Sequence, residues 1–259
     1  MVDCLKQNFT KLDADYDLYV NKELCSSSFE RFCRDIENQE FDWQQNSKCS
    51  RFARFEFENN NYYIKKFEDR SSLEPLKSFL KGSRAMREFR GNCLLNRYGV
   101  NTPATAAIIE KKNGNYLLTK EVKNEGTFLD YILDLERPLG LRRKAVAVLA
   151  KILAKLHNNR IILGDINMNN ALVQEDGEDV NIYILDNERT EKKLFTSKGI
   201  VKNLVQMNKS IHDEINNADR MRFYKNYMDA RGFGIDRKKY MHLLIQRTKE
   251  RLAKNKRAG

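Results

Sequence analysis

The spacing of apolar side chains changes period along this chain. In the polar opening stretch a weak helical period runs through Phe29, Phe32, Cys33 and Ile36. From Trp43 the period shortens. "RFARFEFE" (Arg51 to Glu58) alternates polar and aromatic residues, the two-residue repeat of a half-buried strand. "NNN" (Asn59 to Asn61) predicts a turn and "YYIKKF" (Tyr62 to Phe67) a second strand, so the two form a hairpin. "SRAMREFRGNCLLNRY" (Ser83 to Tyr98) returns to helical spacing, with Ser83 as N-cap and Met86, Phe89, Cys93 and Leu94 as the apolar stripe. "GVNTP" breaks that helix. "AAIIE" (Ala106 to Glu110) and "YLLTKEV" (Tyr116 to Val122) predict two more strands around an Asn113-Gly114 hairpin turn. The order is β-β-α-β-β.

Beyond Val122 the pattern turns largely helical. "LRRKAVAVLAKILAKLHNN" (Leu141 to Asn159) is a long helix with an apolar face of Leu149, Ile152, Leu153 and Leu156. Two short apolar segments, "RIIL" and "ALVQ", flank "LGDINMNN", and "VNIYILD" (Val180 to Asp186) is an apolar strand that ends in an acid. From Leu204 the chain is helical and basic. The pattern therefore predicts an α+β chain of two lobes. Residues 1–120 form a sheet-rich lobe, with 1–40 as a helical or irregular extension, and 121–259 form a helical lobe ending in basic helices.

Composition narrows the function classes. With 41% hydrophobic residues the chain has enough apolar surface for a core. No apolar run approaches the ~20 residues that span a bilayer, and Met1 to Lys11 has no apolar core of a secretion signal. Five cysteines without a C-x-x-C pair, and only three histidines, argue for reduced thiols in the cytosol and against a zinc cluster. The net charge of +11 calls for an anionic partner: nucleic acid, an acidic membrane surface or a phosphorylated substrate. Because the basic residues are dispersed and no nucleic-acid signature occurs, nucleic acid is not the expected partner.

The chemistry sits around "LGDINMNN". Phosphoryl transfer needs a cation on the phosphates, metal ligands and a carboxylate that orients the acceptor. In kinase-like folds a catalytic-loop Asp is followed five positions on by an Asn, and a second Asp ends a nearby strand. Asp165 and Asn170 have that spacing, and Asp186 follows Asn170 by sixteen residues, room for one hairpin. Asp165 orients or deprotonates the attacking hydroxyl, while the oxygens of Asn170 and Asp186 suit Mg²⁺. Upstream, Lys65 or Lys66 is the phosphate-binding cation and Glu88 its ion-pair partner; alternation puts the two lysines on opposite faces and does not choose between them. By position in this order, "YLLTKEV" is the hinge. Backbone groups near Glu121 and Val122 would then hold adenine, with Thr119 behind them.

"YYIKKF", "SRAMREFR", "NRYGVNTPATAAI", "KLHNNRIILGDINMNNALV" and "IYILDNERT" resemble the lipopolysaccharide core kinases, the Kdo and heptose kinases of inner-core synthesis. The resemblance runs from about Arg51 to Asp229 and includes "RMRFYKNYMDARG" (Arg220 to Gly232). It implies a bilobal protein-kinase-like fold, ATP and Mg²⁺ as cofactors, and phosphorylation of a sugar hydroxyl on lipid A–core. It also implies a peripheral position on the cytoplasmic face of the inner membrane, whose anionic surface would attract the basic C-terminal region. On that pattern Lys65 is the strand lysine, Glu88 its glutamate, Asp165 the catalytic aspartate, and Asn170 and Asp186 the metal ligands. Asn167 fits the "D-L-N-x-x-N" of the Kdo branch, which favours Kdo over heptose as acceptor.

The chain departs from the pattern in three places. Leu163 stands where the family has His. "QQNSKCS" (Gln44 to Ser50) replaces a glycine-rich loop, leaving Ser47, Ser50 and backbone amides to cover phosphates. Asp186 is followed by "NER", where Glu188 is either a further metal contact or half of a surface pair with Arg189, and Arg189 otherwise meets the anionic substrate. These departures motivate a different class of protein, a pseudokinase that only binds a nucleotide or partner. A small atypical protein kinase is the other enzyme reading.

Overall fold

The computed structural model describes residues 2–12, 16–24, 26–47, 49–69, 71–111, 114–209, 215–232 and 236–256. The chain divides into two compact units, Met1–Leu94 with Pro103–Val122, and Leu95–Thr102 with Lys123–Gly259.

The first unit contains α1 (Val2–Asn8), β1 (Phe9–Lys11), β2 (Asp17–Asn21), α2 (Ser27–Arg34), β3 (Gln44–Ser47), β4 (Ser50–Phe57) and β5 (Asn60–Phe67). After these come α3 (Glu74–Lys81), α4 (Arg84–Arg97, in this unit through Leu94), β6 (Thr105–Lys111) and β7 (Gly114–Lys120). The strands form one sheet in the order β1-β2-β6-β7-β5-β4-β3, with every neighbouring pair antiparallel. The opening region is thus more than a helical or irregular extension. It adds β1 and β2 to the sheet, and Leu18 and Val20 of β2 are wholly buried. These strands have only three and five residues, too short to display a period.

Alternation along each strand sends its side chains into two separate cores. One face buries Leu18, Val20, Ala53, Tyr62, Ile64 and Leu118 beneath Phe29, Cys33 and Ile36. The opposite face buries Phe67, Ile108 and Leu117 beneath Ala85, Met86 and Phe89 of α4. The β4–β5 turn is made by Glu58 and Asn59, both at positive φ (48° and 58°), as a two-residue hairpin of this hand requires. It starts one residue before the predicted "NNN" turn and shares only Asn59 with it, since β5 already begins at Asn60. Asn113 of the other predicted turn lies outside the described residues, as do Cys25 and Lys48.

The second unit holds α5 (Phe128–Leu133), α6 (Leu139–Asn158), β8 (Ile161–Ile162), β9 (Ala171–Asp176), β10 (Asp179–Ile184), β11 (Glu191–Lys192), α7 (Ser197–Lys209), α8 (Asn217–Arg231) and α9 (Arg237–Lys256). β9 and β10 form the expected hairpin, in register from Ala171↔Ile184 to Asp176↔Asp179. α6 buries Leu149, Leu153 and Leu156 and packs on α8 and β10. The "GVNTP" break is tied down here: Asn101 O accepts from Ile184 N–H (2.9 Å) and the two segments form a parallel bridge. Among the described residues no helix is long and apolar enough to cross a membrane.

Candidate active site

In the first unit the sheet separates the two lysines. Lys65 shares its strand face with Phe67, the face that α4 covers, and Glu88 stands on α4 above it. Lys65 Nζ donates to Glu88 Oε2 at 2.7 Å, and the two side chains are only 15% and 9% exposed. Lys66 points to the other face, with its ammonium 5.4 Å from the centre of the Tyr116 ring. The N-cap forecast for α4 is matched as well, since Met86 N–H donates to Ser83 Oγ (3.1 Å).

Glu121 N–H donates to Asn61 O (2.9 Å), so that N–H is already engaged. Its carboxylate takes two bonds from Arg54 (2.7 and 3.0 Å), which hold its pKa below the usual range. Ser47 and Ser50, in the place of a glycine-rich loop, hydrogen-bond each other across the β3–β4 turn (2.7 Å).

In the second unit the eight residues of "LGDINMNN" have three distinct environments. Leu163 is buried (3% exposed) and its backbone is gripped on both sides by Asn203 of α7: its N–H donates to Asn203 Oδ1 (3.1 Å) and its O accepts from Asn203 Nδ2 (2.7 Å). A buried amide thus anchors the loop where the family pattern has a His. Gly164 follows at a close crossing. A Cβ there would lie 2.1 Å from Arg189 Cβ and 2.9 Å from Arg189 Cα, so only glycine fits against that backbone.

Asp165 is exposed, and its Oδ1 accepts from Gln206 Nε2 (3.1 Å). Asn167 caps a single 3-10 turn (Met168–Asn170), with Oδ1 accepting from Asn169 N–H (2.9 Å) and Asn170 N–H (3.0 Å). Its side-chain oxygen is therefore engaged locally. Asn170 Nδ2 donates to Asp165 O (3.2 Å), which turns the amide so that its oxygen is the end left for a ligand. Asn170 O in turn accepts from Leu185 N–H (2.8 Å), and this bond places Asn170 beside Asp186.

Asp186 has φ +55°, in the left-handed region. The turn after it supports that conformation. Asn187, 1% exposed, donates Nδ2 to Ile184 O (3.0 Å) and accepts from Thr190 Oγ1 (3.3 Å). Glu188 is 7% exposed and so is not a surface acid, whereas Arg189 is exposed. Among the described residues no three His, Cys, Asp or Glu side chains gather as a metal site. Asn170 and Asp186 are instead the two residues whose side-chain oxygens could hold a hard cation. Such a set suits Mg²⁺, which keeps waters and completes its shell with phosphates.

Sequence reasoning missed Asn203 and Gln206, which have no motif around them, and it quoted His157 only as part of a helix end. A family model described as the lipopolysaccharide kinase (Kdo/WaaP) family matches residues 35–227. The chain belongs to that family. This lipopolysaccharide kinase is accordingly a phosphotransferase that uses ATP. No curated protein sequence matches it. Among solved structures, WaaP in complex with acyl carrier protein is similar over 87% of this chain and 97% of that one, with a TM-score of 0.65 and 17% identity. WbdD in co-crystal with the kinase inhibitor LY294002 is similar over 82% of this chain and 46% of that one, with a TM-score of 0.49 and 16% identity. The likeness to WaaP establishes the fold as the kinase-like α+β architecture expected from the sequence.

Proposed function

We propose that this lipopolysaccharide kinase transfers the γ-phosphoryl group of ATP to a sugar hydroxyl of lipid A–core, with Kdo as the acceptor. The observation that carries this reading is the second unit's loop. Asp165 is held at Oδ1 by Gln206, and Asn170 is bonded to Leu185, next to Asp186. Asp165 orients the acceptor hydroxyl and takes up its proton. Asn170 and Asp186 are the residues that would hold Mg²⁺, whose chemistry is to neutralise charge on the phosphates. Lys65, kept extended by Glu88, supplies the phosphate cation. The Glu121 carbonyl and the Val122 backbone receive adenine.

The net charge of +11 and the basic α9 suit a peripheral seat on an anionic membrane, where each basic residue near the surface contributes about 1 kcal/mol. A heptose acceptor is the second reading. Asn167, the residue that favours Kdo by resemblance, also has a local reason to be Asn, because it caps the turn.

The test is transfer of label from [γ-³²P]ATP to Kdo₂-lipid A, to a heptosylated core acceptor and to casein, with Mg²⁺ present. The expected product is phosphorylated Kdo₂-lipid A. Label on the heptosylated acceptor alone selects heptose. Label on casein alone, or on nothing, overturns the lipid-sugar reading.

A further inference from the structure

Asp165 stands at the end of a hydrogen-bond chain that begins in the interior of the second unit. Tyr227 of α8 is 1% exposed and its hydroxyl lies 2.7 Å from His157 Nδ1. His157, at the end of α6, is 2% exposed, and burial lowers its pKa to about 4, so the ring is neutral near pH 7. Its Nε2 lies 3.2 Å from Asn203 Oδ1.

Each orientation in the chain follows from the one before it. Asn203 Oδ1 already accepts from Leu163 N–H, and an amide oxygen cannot donate, so the His157 proton sits on Nε2. Nδ1 must then accept from the Tyr227 hydroxyl. Asn203 Nδ2 donates to Leu163 O and to Gln206 Oε1 (3.3 Å), which leaves Gln206 Nε2 to donate to Asp165 Oδ1. Flipping the Gln206 amide would set an oxygen against the carboxylate and a nitrogen against Asn203 Nδ2. Every donor therefore points the same way, from Tyr227 to Asp165.

We infer that Gln206 is a positioning residue for phosphoryl transfer: it fixes the Asp165 carboxylate by one N–H bond at Oδ1 and turns Oδ2 to the acceptor hydroxyl. Its own orientation is imposed from the buried side by Asn203 and His157. This inference rests on the reading of Asp165 as the residue that orients the acceptor. The arrangement suits that task because a neutral donor holds the carboxylate without neutralising it, as a lysine or arginine in the same place would.

The experiment measures initial rates of ³²P transfer from ATP to Kdo₂-lipid A for the full chain and for Gln206→Met, Gln206→Glu and Asp165→Ala, with melting temperatures for each. Met keeps the volume and loses the donor; Glu keeps an acceptor for Asn203 and sets a carboxylate against Asp165. A lost bond to a charged group predicts a fall of about tenfold in kcat for Gln206→Met, with the KM for ATP changed less than about twofold. Gln206→Glu falls further, and both variants melt close to the wild type. A merely structural role would instead lower kcat only in step with melting temperature, and that result overturns the inference. Wild-type kcat in Gln206→Met beside an inactive Asp165→Ala overturns the inference alone. Wild-type turnover in Asp165→Ala removes the reading of Asp165, and the inference with it.

Discussion

Lys65 in the first unit and Asp165 in the second are both held in place by a neighbouring side chain, but by different physical means. Lys65 is matched by an opposite charge, Glu88, at 2.7 Å in a largely dry setting. Asp165 is exposed and is held by the neutral amide of Gln206. Under the proposed roles the difference follows from what each group would do. A lysine that meets phosphates can be pre-oriented by a carboxylate and still carry surplus attraction for a highly charged ligand. A carboxylate that must orient or accept a proton would lose basicity beside a cation, so it is steadied by dipoles instead. The two contacts therefore respond differently to disruption. Breaking the charged arrangement leaves a buried charge exposed to a poor environment, while breaking the neutral one mostly loosens an aim.

The sharpest way to break the comparison is to remove each anchor-bearing residue. Asp165→Ala is expected to lower kcat by about 10³-fold, within the range for loss of a general base, and to leave ATP affinity within about threefold of wild type. Lys65→Met takes away the ammonium that Glu88 pairs with. It is expected to weaken ATP binding and to destabilise the fold by about 3 kcal/mol, as half-removed buried pairs do. Adding Glu88→Leu to Lys65→Met should recover most of the melting temperature and none of the activity. Titration calorimetry with ATP and thermal melts separate the two outcomes. Equal losses of ATP affinity in Asp165→Ala and Lys65→Met would end the distinction drawn between the units.

A smaller effect tests the neutral chain through pH. His157 is neutral in the fold because burial, with a minor push from Arg231, lowers its pKa from 6.5 to about 4. The unfolded chain binds a proton at His157 below about pH 6.5 and the folded one does not until about pH 4. Stability therefore falls as pH drops through that window, with no contribution from this group above pH 7. Full development of the shift corresponds to about 3 kcal/mol, and between pH 7 and 5.5 only about a third of that is lost. His157→Gln removes this titration while keeping an amide donor for Asn203. Melting temperatures from pH 7.5 to 5 should then fall less steeply for the variant than for the wild type. Parallel slopes would show that His157 is charged, or accessible, in the folded protein.

The spacing on which the proposed site rests was legible in the sequence because it is local. Asp165, Asn170 and Asp186 lie on one loop and one hairpin, and the hairpin's register follows from alternating apolar residues in "ALVQ" and "VNIYI". Ser83 was legible for the same reason, since an N-cap and its helix are neighbours in the chain. What stayed hidden depends on packing between distant segments. Lys65 and Lys66 are equivalent until α4 is known to cover one face of the sheet. Gln206 lies 41 residues from Asp165, and nothing in "NLVQMN" marks it. Glu188 reads as a surface acid beside Arg189 until the turn at Asn187 sends it inward. β1 and β2 escape notice because short strands reveal themselves only through their partners.

The smallest expected effect concerns the helix that carries Glu88. Ser83 Oγ accepts the Met86 N–H at 3.1 Å and ends the run of unpaired donors at the start of α4. Ser83 is 6% exposed, so water cannot easily replace that bond. Ser83→Ala should cost about 1 kcal/mol. Glu88 lies more than a turn further on, where the helix is already held by Met86 and Phe89 against the sheet. The lost cap should therefore lower the melting temperature by a few degrees and leave the ATP KM unchanged. Ser83→Asp restores an acceptor and should recover the melting temperature, because an acid also suits a helix N-terminus. A rise in ATP KM in Ser83→Ala at a temperature where the protein is fully folded would show that the Lys65–Glu88 pair depends on the helix end, and that the first unit's anchor is less self-contained than the second unit's.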